Sequence, residues 1–156
     1  MVMRARVALI ALGALASACT QSDQYLQFTA PVDVAGFIDA ATSGTRTWTR
    51  EALALRFGQP VRERQRSAQT VLEYLGLELG LEGDTLVHIA LTDSRHIGPE
   101  GARVGYAVTH IRRQWGPPLT EAAARWTYQT GGALLVLSVA GGVVSRVEWR
   151  LGEGGR

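Results

Sequence analysis

A shift of 58 residues lays Phe57-Gly58-Gln59-Pro60 on Trp115-Gly116-Pro117-Pro118, and carries Leu77 onto Leu135, Leu79 onto Leu137, Leu86 onto Val144 and Ile89 onto Val147. Dropping about four residues from an arginine-rich link also brings Tyr74 onto Tyr128. The alternatives are a chance agreement of short Gly-Pro and Leu patterns and a true internal duplication. A duplication of this period constrains the fold strongly, because each copy must be one supersecondary unit that buries its apolar face against a neighbour.

The unit reads as a helix, a stop and a run of strands. In the first half, Thr49 is placed to cap a helix through Phe57, which Gly58 ends and Pro60 keeps from continuing. Gly58 and Gly116 are expected in the left-handed conformation that closes a helix. Strands are then predicted over residues 70–75, over Leu77, Leu79 and Leu81 alternating with Glu78, Gly80 and Glu82, and over residues 85–91 after a Gly83-Asp84 turn. In the second half, Val104, Val108, Ile111 and Trp115 share one helix face, and Gly116-Pro117-Pro118 stops that helix. Strands follow over residues 124–129, 133–139 and 143–150, separated by Gly131-Gly132 and Gly141-Gly142. Tyr74, Trp126 and Tyr128 offer broad apolar surface for a helix to pack on. Ahead of both halves, Val34, Phe37, Ile38 and Ala41 lie at helical spacing despite Gly36.

The expected fold is α+β: two tandem modules, residues 31–95 and 96–150, each a helix followed by an antiparallel strand meander, forming one layered helix-on-sheet unit. Residues 151–156 are expected to be a disordered tail.

The first residues carry an address. Arg4 and Arg6 precede an apolar run from Val7 to Leu15 and the small-residue stretch Ala16-Ser17-Ala18-Cys19, the layout of an export signal over residues 1–18. The run is far shorter than the roughly 20 residues that span a bilayer. Cys19 is the only cysteine and cannot form an intramolecular disulfide, so its place after a cleavage site points to lipidation. The alternative is an unmodified or removed cysteine after ordinary signal cleavage. Leu15-Ala16-Ser17-Ala18-Cys19 resembles the bacterial lipobox, with residues 19–30 as a flexible tether. Thr20 stands where Asp commonly retains a lipoprotein at the inner membrane, which favours the outer membrane facing the periplasm.

Charge and chemistry exclude several roles. Beyond the signal, 14 basic side chains, all arginine, balance 14 acidic ones, so a nucleic-acid footprint is not supported. His88, His96 and His110 are scattered and make a poor metal site. Asp93-Ser94-Arg95-His96 has the residue types of a triad, but adjacency in sequence does not assemble one. The Gly-Gly pairs stand between strands and lack the lysine of a phosphate loop. No cofactor, metal or small-molecule substrate is implied, and the chain is expected not to be an enzyme. Arg62, Arg64 and Arg66 alternate, so in an extended segment they share one face. That row could meet lipid headgroups or an acidic protein patch, or simply guard a solvated edge.

The pattern of Thr49-Arg50-Glu51-Ala52-Leu53, Phe57-Gly58-Gln59-Pro60 and Tyr74, repeated as Ile111, Trp115-Gly116-Pro117-Pro118 and Trp126-Thr127-Tyr128, resembles the BamE (SmpA/OmlA) lipoprotein family. Its tandem arrangement looks more like that of beta-lactamase inhibitor proteins. The first resemblance implies a lipid-anchored, non-enzymatic scaffold or accessory factor of an outer-membrane complex, such as one assembling outer-membrane proteins. The second implies an inhibitor or binding module for a periplasmic enzyme. Either way the partners are a membrane, through Cys19, and an envelope protein.

Overall fold

The computed structural model describes residues 32–152. The expected signal segment, Cys19, the tether and residues 153–156 of the tail lie outside the described residues.

Three short α-helices form among the described residues. α1 (Val34–Thr42) is capped by Asp33, which accepts from the Gly36 amide at 2.8 Å, and buries Val34, Phe37, Ile38 and Ala41. α2 (Arg50–Phe57) is capped by Thr49, which accepts from the Ala52 amide at 3.2 Å. Both caps satisfy amides that the first helical turn leaves without a partner. α3 (Val108–Trp115) begins later than the spacing from Val104 predicts. The backbone just ahead of it is engaged elsewhere: Gly105 and Val108 donate to the carbonyls of Val144 and Gly142, and Tyr106 accepts from the Val144 amide. Those bonds replace the helical ones, although Val104 still packs against the core.

The eight strands are β1 (Arg62–Arg66), β2 (Gln69–Tyr74), β3 (Leu77–Glu82), β4 (Thr85–Leu91), β5 (Thr120–Ala122), β6 (Arg125–Thr130), β7 (Ala133–Ala140) and β8 (Val143–Leu151). β1 and β5 were not among the strands expected from apolar alternation, because both are fully exposed and carry no such signal.

The strands form one antiparallel sheet in the order β1-β2-β3-β4-β8-β7-β6-β5. This corrects the expectation of two tandem helix-and-meander modules. The two meanders are joined edge to edge by the β4–β8 pairing, and strands dominate the fold over the short helices. The reason is burial. A meander ending at β4 or β8 would leave a row of backbone donors and acceptors open beside Ile89, Leu91, Val147 and Trp149, all essentially inaccessible to solvent. Pairing the two edges satisfies both rows and closes a single core over the junction.

Positions 58 apart occupy equivalent places within this one sheet. Register shifts fall between Gly80 and Leu81 and again between Ser138 and Val139, and Tyr74 pairs with Leu77 as Tyr128 pairs with Leu135. One face, bearing Leu77, Leu79, Leu86, Ile89, Leu135, Leu137, Val147 and Trp149, holds the core together with every buried helix residue. Val71, Ala90 and Val136 are also buried but lie outside that core, on the opposite face.

Candidate functional site

The face turned away from the helices is built by the other half of each strand's alternation. The register Arg64–Val71–Gly80–His88–Arg150 runs across five strands, and beside it runs Arg62–Glu73–Glu78–Ala90–Glu148–Val136. Arg62, Arg64 and Arg66 thus share a face with Glu78, His88, Arg146, Glu148 and Arg150.

Those last five residues form a network. Arg146 donates to both oxygens of Glu78, at 2.9 Å and 3.1 Å, although β4 separates their strands. The β4 residue beside Glu78 is Ala90, which pairs on its other side with Glu148, and its methyl group leaves space for Arg146, two residues along β8, to reach across. The Arg146 Nε lies 3.5 Å from Glu148, and Arg150 donates to Glu148 at 2.7 Å. His88 Nε2 sits 3.5 Å from Glu78, an ion-pair distance longer than the Arg146 contacts, and has no hydrogen-bond partner. The His88 ring lies over Gly80, where any side chain would overlap it. A depression of about 520 Å³ bordered by Arg66, Gln69, Glu82 and the network opens on this face.

The electrostatics fix the protonation states. Contact with His88, then with Arg146, holds the Glu78 carboxyl at about 2 against the opposing effect of burial. Burial pushes Glu148 upward, but the hydrogen bond and charge of Arg150, with the charge of Arg146, bring it below the ordinary carboxylate range. Burial likewise weakens the protonated form of Arg146, and Glu78 and Glu148 more than restore it. These carboxylates are ionised and gripped near neutral pH. They are fitted to hold a rigid charge pattern and poorly fitted to proton transfer, which works best with a group whose pKa lies near the working pH.

The other residues singled out in the sequence separate by role. Gly58 and Gly116 close α2 and α3 at φ of +80° and +78°, but with extended ψ of −167° and −164°, a combination open essentially to glycine and outside the left-handed helical region expected of them. Pro60 and Pro118 follow just ahead of β1 and β5. Phe57 packs on Tyr74 with ring centres 5.5 Å apart, and Trp115 on Tyr128 at 5.4 Å. Arg112 lies 4.8 Å over the ring of Trp126 while paired with Glu121. His96 bonds the Leu75 carbonyl at 2.8 Å and Asp93 is taken up by Arg95, so the Asp93-Ser94-His96 stretch forms no relay. His110 stacks edge-on against Tyr106. Glu78, Arg146, Glu148 and Arg150 were legible only as polar positions of alternating strands. The 58-residue correspondence, combined with a β4–β8 pairing, would have put Ala90 beside Glu148 and exposed the network.

No family model and no curated protein matches the chain. Among solved structures, the chain is similar to an extracellular protein containing a SCP domain from Bacillus anthracis str. Ames, with a TM-score of 0.54 and 10% identity over 65% of this chain. The match spans 42% of that protein's length, and the likeness is one of fold alone. A DUF4309 family protein (YjgB) from Bacillus subtilis aligns over 66% of this chain and 78% of its own, with 18% identity and a TM-score of 0.45. Among the described residues no helix is long and apolar enough to cross a membrane.

Proposed function

We propose that this chain is a non-catalytic binding module of the bacterial cell envelope, tethered to the outer membrane by lipid on Cys19, whose open sheet face docks an envelope protein as scaffold or accessory factor. The observation that carries this reading is the second face of the sheet. It bears no helix among the described residues and presents a preorganised array of arginine and glutamate. Fixed charges of this kind select a partner by complementarity, and side chains already locked lose little entropy on binding.

The export-signal layout of residues 1–18, just ahead of Cys19, supports the anchored location, as does a fold shared with an extracellular protein. Each buried acyl methylene contributes about 0.8 kcal/mol, so two or three chains on one residue suffice to hold the domain at a surface. The anchor then keeps a small module at high local concentration beside its partner. The BamE-like pattern supports an outer-membrane complex as the setting.

Labelled palmitate fed to cells should enter the wild-type chain and not the Cys19→Ala variant. Affinity capture from detergent-solubilised membranes should recover an envelope protein with wild type and lose it with Arg125→Glu, an exposed β6 residue on the same side of the sheet as Thr127, Val136 and Glu148. Label in neither chain would remove the anchor. Capture of the same protein by wild type and Arg125→Glu alike would remove the assigned face.

A further inference from the structure

The sheet has two edges, and they differ. β5 is three residues long, enters from Pro117-Pro118, and has Glu121 tied to Arg112 of α3. β1 is five residues long, follows β2 in unbroken antiparallel register from Arg62↔Glu73 to Arg66↔Gln69, and every one of its residues is exposed. An edge strand presents backbone donors and acceptors along its free side, a template for another strand.

The charges of β1 decide which strand could use that template. Glu63 points to the helix side and is held by Arg50 of α2. On the other side, Arg64 pairs with Glu73, while Arg62 and Arg66 have no partner among the described residues. The result is a row of three guanidinium groups at alternate positions, with its two outer members uncompensated. A second copy of β1 would bring like charge against like and is rejected. A neutral strand would gain backbone bonds but leave the arginines unanswered. A strand with carboxylates at every second position satisfies both sets at once, because alternate side chains of a paired strand fall beside Arg62, Arg64 and Arg66.

We infer that β1 accepts an extended acidic segment of a partner protein as a ninth strand, with Asp or Glu at alternate positions facing Arg62, Arg64 and Arg66. The inference rests on the binding-module reading and sharpens it, by naming an edge and the kind of segment that fits it.

The test is a titration of the folded Cys19→Ala chain with short synthetic peptides, followed by backbone amide shifts. A peptide alternating Thr and Glu should bind and shift the amides of residues 62–66. Affinity should fall at least about tenfold for the Arg62→Glu/Arg66→Glu double variant, and similarly for the same peptide N-methylated on alternate residues, which keeps the charge and removes backbone donors. The N-methylated arm needs no altered protein, so it stands even if the double variant is unstable. No binding of the Thr-Glu peptide, equal binding of its N-methylated form, or equal binding by a folded double variant would each overturn the inference. Because no membrane or native partner is present, those outcomes leave the anchored-module reading to its own capture experiment.

Discussion

Ala90 and Glu148 face each other across the β4–β8 junction, and they are also the two residues that the 58-residue shift carries onto one another. The local two-fold relationship of the sheet therefore passes through this pair. One member is a methyl group and the other a carboxylate, and the asymmetry is what the network uses. Ala90 makes room for Arg146 to reach Glu78, while Glu148 draws the same guanidinium from its other side.

Ala90 is fully buried, so its replacement tests this arrangement. Ala90→Asp should cost more than about 3 kcal/mol, because it adds a carboxylate without a free cation between two others. Ala90→Ser should cost little. Urea unfolding midpoints of the two variants provide the comparison.

The two tyrosines at equivalent positions differ at their hydroxyls. Tyr128 donates to the Gly116 carbonyl at 3.3 Å, whereas the buried Tyr74 hydroxyl has no partner. Tyr128→Phe should therefore lose roughly 1 kcal/mol, and Tyr74→Phe should be neutral or slightly stabilising. Equal losses in chemical denaturation would show that the hydroxyls are not distinguished in this way.

Gly80 and His88 should be coupled. A Cβ at Gly80 would overlap the His88 ring, so Gly80→Ala alone is expected to cost about 1–3 kcal/mol. Combined with His88→Ala it should cost clearly less than the sum of the single changes, a coupling of at least about 1 kcal/mol in a double-mutant cycle. Additive costs would mean that the ring does not occupy the space over Gly80.

Acid should weaken the fold through Glu78. Its pKa is lowered from 4.5 to about 2 on folding, so its contribution is complete above the unfolded value and is lost as pH falls from about 4.5 towards 2. Glu78→Gln should be less stable than wild type at neutral pH and show a flatter decline in melting temperature as pH falls from about 4.5 to about 3. An unchanged slope would place the acid sensitivity elsewhere.

Much of the fold was legible because it lies in local periodicity. The apolar residues of α1, the Thr49 cap, the Gly58 and Gly116 stops and the six apolar strands all follow from spacing, and the 58-residue correspondence held down to the matching register shifts. The joining of the meanders was not legible, since a pairing between β4 and β8 is a long-range choice that no local pattern encodes. β1 escaped because Arg62-Glu63-Arg64-Gln65-Arg66 offers no apolar face and pairs with no strand but β2. Of the candidate site, the alternating arginines were visible in the sequence. Their continuity with Glu78, Arg146, Glu148 and Arg150 appeared only once the register across the sheet was known.

The central claim is that partners meet the open face of the sheet, and site-specific photo-crosslinking in intact cells tests it most directly. A photoreactive residue at Arg125 or Arg62, both exposed on that face, should yield a discrete adduct with an envelope protein. The same residue at Leu55, 90% exposed on α2 across the sheet, should not. Adducts from Leu55 with none from Arg125 or Arg62 would contradict the account.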